Sequence, residues 1–145
     1  MLPPFVPNIA NTMEKVAPVL TGAVKAGERM SKRIESEIIR AALELSVKKA
    51  LTGNVRVEYN KNSDNYKISI WKKGVAAGII RTADKWADTV KTFENYCSDL
   101  KKSVNAVDIK AHVTLMLLND TNLNRTLLMV VDGTTIHDFM QESGK

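Results

Sequence analysis

Apolar residues recur at Ile9, Met13, Val16, Leu20, Val24, Gly27, Met30, Ile34, Ile38, Ala41 and Leu45, an average spacing of 3.6 that lays one stripe along a helix. A single helix from Ile9 to Leu51 would run about 65 Å at 1.5 Å per residue, whereas a compact chain of this size spans roughly 35 to 40 Å. Something must therefore interrupt it or project. Pro18 removes the hydrogen bond to the Glu14 carbonyl, and Gly22 and Gly27 each cost about 1 kcal/mol relative to alanine. The expectation is a weak or kinked segment over 9–26, then an amphipathic helix over 28–51 that stops near Gly53.

The period then changes from 3.6 to 2. Val55, Val57 and Tyr59 alternate with Arg56 and Glu58, and Tyr66, Ile68 and Ile70 alternate with Lys67, Ser69 and Trp71. The polar run 61–65 between them is turn chemistry, so a β-hairpin is predicted. Lys73-Gly74 makes another turn, and residues 75–80 are expected to add a third strand. Thr82 is placed as the cap of a helix whose apolar positions Trp86, Val90, Phe93, Cys97 and Leu100 follow a 4-3-4-3 spacing. A second hairpin is expected to carry Val107, Ile109, Ala111, Val113, Leu115 and Leu117 on one face, with Leu127, Met129 and Val131 on the returning strand. Asp132-Gly133 ends that hairpin, and Thr135 is placed as the cap of a short final helix bearing Ile136, Phe139 and Met140. The fold class is α+β with a mainly antiparallel sheet, in one domain over 1–145 whose first 27 residues are kinked or projecting.

Composition changes little in that picture and charge changes more. At 145 residues, 44% hydrophobic and 26% charged, the chain reads as one ordinary globular domain. Its single cysteine excludes an intramolecular disulfide and any multi-cysteine metal pattern, which favours a reducing, cytoplasmic setting. The first twelve residues lack a basic region before their apolar part, which Pro3, Pro4 and Pro7 break, so no secretory signal is read there. No run reaches the ~20 apolar residues of a membrane span. The sequons at Asn119 and Asn124 are then read as accidents of a polar turn. Residues 1–103 carry 18 basic and 11 acidic side chains, net +7, while residues 104–145 carry 3 and 5, net −2. That asymmetry favours an anionic partner for the first two thirds.

Candidate chemistry is sparse, and no enzyme is expected. Cys97 sits on an apolar stripe and reads as a buried thiol rather than a nucleophile. His112 is expected on the polar face of a strand with Asp108 and Lys110, and His137 beside Asp138 in the last helix, where adjacent positions point about 100° apart. No metal site or cofactor is expected. Residues 120–124 begin like a calcium loop, but Arg125 stands where glycine is needed and Val131 where a bidentate glutamate is needed. Residues 74–78 lack the Lys-Ser/Thr of a phosphate loop and the third glycine of a dinucleotide fingerprint. The feature that points to a function is a surface. If Tyr66, Ile68 and Ile70 face the core, strand parity puts Lys67, Trp71 and Lys73 on the opposite face, joined across the hairpin by Arg56. An aromatic ring among cations suits nucleic acid, the ring stacking on a base while the cations meet phosphate. The expected function is a small, non-enzymatic, oligomeric binding protein that contacts nucleic acid through Arg56, Lys67, Trp71 and Lys73. One alternative is a protein-interaction, assembly or chaperone-like module using the N-terminal apolar stripe. Another is a membrane-surface protein, because Lys15, Lys25, Arg29, Lys32 and Arg33 accompany the apolar positions of 9–33. The lack of familiar motifs sets the expectation of a viral or mobile-element accessory protein.

Overall fold

The computed structural model describes residues 32–50, 53–81 and 83–140. Six consecutive buried residues, 113–118, make β3 (His112–Asn119) an interior strand, because only a strand covered on both faces tolerates so unbroken an apolar run. It lies in a five-stranded sheet, in the order β1 (Asn54–Asn60), β2 (Asn65–Trp71), β3, β4 (Asn122–Val131), β5 (Thr134–Asp138). The pairs β1–β2, β3–β4 and β4–β5 are antiparallel and β2–β3 is parallel, so the sheet is mixed. The parallel pair needs a long crossover, supplied by α2 (Val75–Arg81), a 3-10 turn (Ala83–Lys85) and α3 (Trp86–Asn105). With α1 (Lys32–Ala50) ahead of the sheet, the class is α+β as expected, with three helices among the described residues.

The main hydrophobic cluster lies on one face of the sheet, while Ser69, Thr114 and Met116 are buried on the other. Val55 and Val57, Tyr66, Ile68 and Ile70, Val113, Leu115 and Leu117, and Leu128 and Val130 alternate inward and form one cluster with α1 and α3. The helix α3 contributes Trp86, Phe93, Cys97 and Leu100 as its spacing predicts, and adds Tyr96 and Val104. Each fully buried side chain of this kind contributes roughly 1.5 to 3 kcal/mol. Polar clasps then fix α3 to the sheet. The Trp86 indole donates to Asp138 at 2.8 Å, Thr135 donates through N and Oγ1 to Glu94, and Lys101 reaches the Ala111 carbonyl at 3.4 Å.

Several expectations are corrected. Residues 75–80 are helical rather than a third strand, because the Asp120 carboxylate accepts the N–H groups of Gly74 and Ala76 at 2.8 and 3.0 Å and starts a helix there. Residues 107–111 are turns, held by the Asn105 amide on the carbonyls of Asp108 and Ala111, and Ile109 is 82% exposed. Residues 134–138 form β5 instead of opening the final helix, and the chain turns helical only at Phe139 and Met140, so Thr135 is not its cap. Asp132 at φ 53 and Gly133 at φ 93 form a two-residue hairpin turn that sends the chain straight back along β4. A side chain at Gly133 would also meet the Ser98 hydroxyl, so the turn seats against α3. Register shifts between Leu117 and Asn119 put Leu128 and Val130 inward instead of Met129 and Val131, while Leu127 remains buried. Finally, α1 turns a different face to the sheet from the one the stripe implied. Ile39, Leu43 and Val47 are fully buried, whereas Ile34 and Leu45 are 48% and 54% exposed. The kinked segment over 9–26, residues 1–27 as a projecting unit, and Thr82 as a cap lie outside the described residues.

Candidate nucleic-acid interface

The sheet face opposite the core cluster bears the cations singled out in the sequence. Antiparallel register sets Arg56 across from Ser69, Glu58 across from Lys67 and Asn54 across from Trp71, and strand parity aims all of these side chains the same way. The Arg56 guanidinium lies 5.8 Å from the Trp71 ring centroid, within cation–π range. Trp71 is half-buried, and Arg56 and Lys67 are 57% and 43% exposed. Thus three of the four predicted residues meet. Lys73 does not belong to the strand. It is exposed in the turn after β2, where parity no longer fixes its side.

Glu58 was left out of the expected surface although parity placed it there. Its Oε1 lies 3.3 Å from Arg56 Nε and 3.8 Å from Lys67 Nζ. Exposed pairs of this kind contribute about 0.2 to 1 kcal/mol each, so they steer the cations without locking them. The electrostatic consequence is larger, since two cations and one carboxylate leave a local charge of +1.

Other candidate groups are engaged elsewhere. The Cys97 thiol is fully buried, and burial pushes its pKa up to about 11; its Sγ donates toward the carbonyls of Val113 at 3.4 Å and Val130 at 3.7 Å. It is a packed thiol. Asp108 and Lys110 precede β3, so His112 does not share a strand face with them. The exposed His112 Nδ1 instead meets Asp132 Oδ2 at 2.6 Å, while Asp132 Oδ1 accepts the Val113 N–H at 2.9 Å and lies 3.6 Å from Lys101 Nζ. Burial raises the Asp132 carboxyl's pKa, but Val113, His112 and Lys101 together outweigh that and hold it below the usual range. His137 is on β5, its Nε2 2.9 Å from the Thr126 carbonyl. The N–H groups of Ala76 and then Gly74 hold Asp120 low as well, which commits this carboxylate to capping α2. Residues 119–122 make the β3–β4 turn, with Thr121 donating twice to the Asn119 side chain.

The chain matches no family model, no curated protein and no solved structure. Function must therefore be argued from its own geometry. Among the described residues, no group of three or more His, Cys, Asp and Glu side chains is placed to hold a metal ion, and no helix is long and apolar enough to cross a membrane.

Proposed function

We propose that this chain is a non-enzymatic binding protein that contacts single-stranded nucleic acid through the side of its first hairpin that bears Arg56, Lys67 and Trp71. The observation that carries this reading is the Arg56 guanidinium over the Trp71 ring, with Lys67 on the same sheet face. A base stacks against the exposed part of the indole, and Arg56 and Lys67 exchange their contact with Glu58 for phosphate oxygens. Lys73, exposed just beyond the strand, extends the cationic track. The net charge of +5 adds long-range attraction that falls with ionic strength.

Glu58 provides a test that generic charge attraction does not. A fluorescence titration with a single-stranded oligonucleotide should lose roughly tenfold or more in affinity for Trp71→Ala, since stacking is worth about 1 to 3 kcal/mol per base. Glu58→Gln should tighten binding, because it removes the carboxylate that competes with phosphate. Both variants should melt close to the parent. Unchanged affinity for Trp71→Ala, with the fold intact, removes the stacking platform and the reading with it.

A further inference from the structure

The second face of the sheet is buried at its centre by something other than the three described helices. Strand parity places Ser69, Thr114 and Met116 on the same side as Arg56 and Lys67. Exposure falls from the edge inward: Arg56 and Lys67 are 57% and 43% exposed, whereas Ser69, Thr114 and Met116 are 1%, 5% and 9% exposed. Met116 stands directly between Ser69 and Met129. A methionine beside so short a neighbour as serine keeps its tip in water unless something lies over it. The buried residues of α1, α2 and α3 belong to the cluster on the first face, and Met116 is not part of that cluster. The cover therefore comes from outside the described residues. Stretches 51–52, 82 and 141–145 are too short to lie across a face, but 31 residues precede α1.

We infer that the segment ahead of α1 docks across this second face, with Ile9, Met13, Val16, Leu20 and Val24 turned onto Met116 and Met129. The connection allows it. The Arg40 contact with the Val57 carbonyl at 3.4 Å and the short link from Ala50 to Asn54 set α1 antiparallel along β1, the edge strand of the sheet. Helix α1 therefore begins beside the edge that the chain must pass. Seven extended residues, 25–31, reach up to about 24 Å, enough to round that edge. Residues 9–24 then measure about 24 Å at helical rise, against about 19 Å for the four spacings between five strands. The stripe's 4-3-4-4 spacing keeps its apolar side chains on one side of such a helix. The two methionines suit this role, since an unbranched thioether adapts to an irregular partner. The cover stops short of β1, where Arg56 and Glu58 stay exposed, so the cationic margin used for nucleic acid remains free and neither proposal depends on the other.

Ser69→Cys supplies the probe. The Ser69 hydroxyl has no hydrogen-bond partner among the described residues, so a thiol replaces it without breaking a bond. In the full chain the introduced thiol should react with a disulfide-exchange reagent at least about tenfold more slowly than in denaturant, at a rate independent of protein concentration, with mass spectrometry assigning the labelled site. Adding Val16→Asp and Leu20→Asp should release the segment and speed that labelling about tenfold or more. Cys97, buried in the cluster on the first face, should stay slow and report that the rest of the fold is intact. Where the two aspartates speed Cys97 as well, Leu20→Ser repeats the comparison with a milder change: selective acceleration at position 69 supports the docking, and equal acceleration at both sites, or none, overturns it. Fast labelling of Ser69→Cys in the otherwise unchanged chain overturns it too, and frees the stripe for a membrane or protein partner. So does labelling indifferent to Val16→Asp with Leu20→Asp, or protection that grows with protein concentration, which assigns the face to a second copy.

Discussion

Cys97 offers the most direct check on the core. Its Sγ is enclosed between α3 and the backbones of β3 and β4, fully buried, with burial as the main cause of a pKa near 11 against an ordinary value near 9. At pH 7.5 the folded protein thus holds about 100-fold less thiolate than an exposed cysteine would. Enclosure removes access as well. A thiol reagent must wait for the structure to open, and an opening free energy of about 5 kcal/mol leaves roughly one molecule in several thousand reactive. Labelling by a disulfide-exchange reagent should be at least about a thousandfold slower in buffer than in denaturant. A ratio below about ten would mean that Cys97 is not packed as described, and would refute the reasoning. Cys97→Ala should cost about 1 to 2 kcal/mol in denaturant unfolding, the loss expected for a small buried group. The pH dependence carries a definite sign. Folding favours the protonated thiol, so its contribution is complete below pH 9 and is lost as pH rises toward 11, at about 1.4 kcal/mol per unit. Burial also raises Tyr66 and Tyr96, which weaken the fold at still higher pH. The difference between the parent and Cys97→Ala across pH 9 to 11 isolates the thiol.

Two further predictions concern the clasps. Asp138→Ala should destabilise the fold by about 2 to 3 kcal/mol in urea unfolding, because it strands the Trp86 indole N–H in a buried site and frees the end of β5 from α3. Asp120→Ala should cost about 1 kcal/mol by uncapping α2. Because the folded state holds the Asp120 carboxyl low, its contribution is present above the ordinary carboxylate pKa and lost as pH falls through the lowered value, a loss that Asp120→Asn should abolish in acid melts.

What the chain revealed before its structure depended on whether the deciding interaction was local. The hairpin over 54–71 was legible because period-2 alternation and a polar turn sit side by side in sequence. The helix α3 was legible because its 4-3-4-3 line names the residues it buries. The helix α2 was not, since apolar residues 75–80 suit a strand as well as a helix and the capping carboxylate lies 44 residues beyond Ala76. At β5, the helical spacing of Ile136 with Phe139 and Met140 drew the helix start too early, since only Phe139 and Met140 are helical, and the Asp132-Gly133 turn was the stronger local signal for the strand before them. Periodicity found α1 and misjudged its buried side, because two apolar lines share the helix and only the sheet decides between them. The site follows the same logic. Parity gathered Arg56, Lys67 and Trp71 while the strand lasted, and failed at Lys73 where it ended. The same parity also places Glu58 on this face, between the two cations.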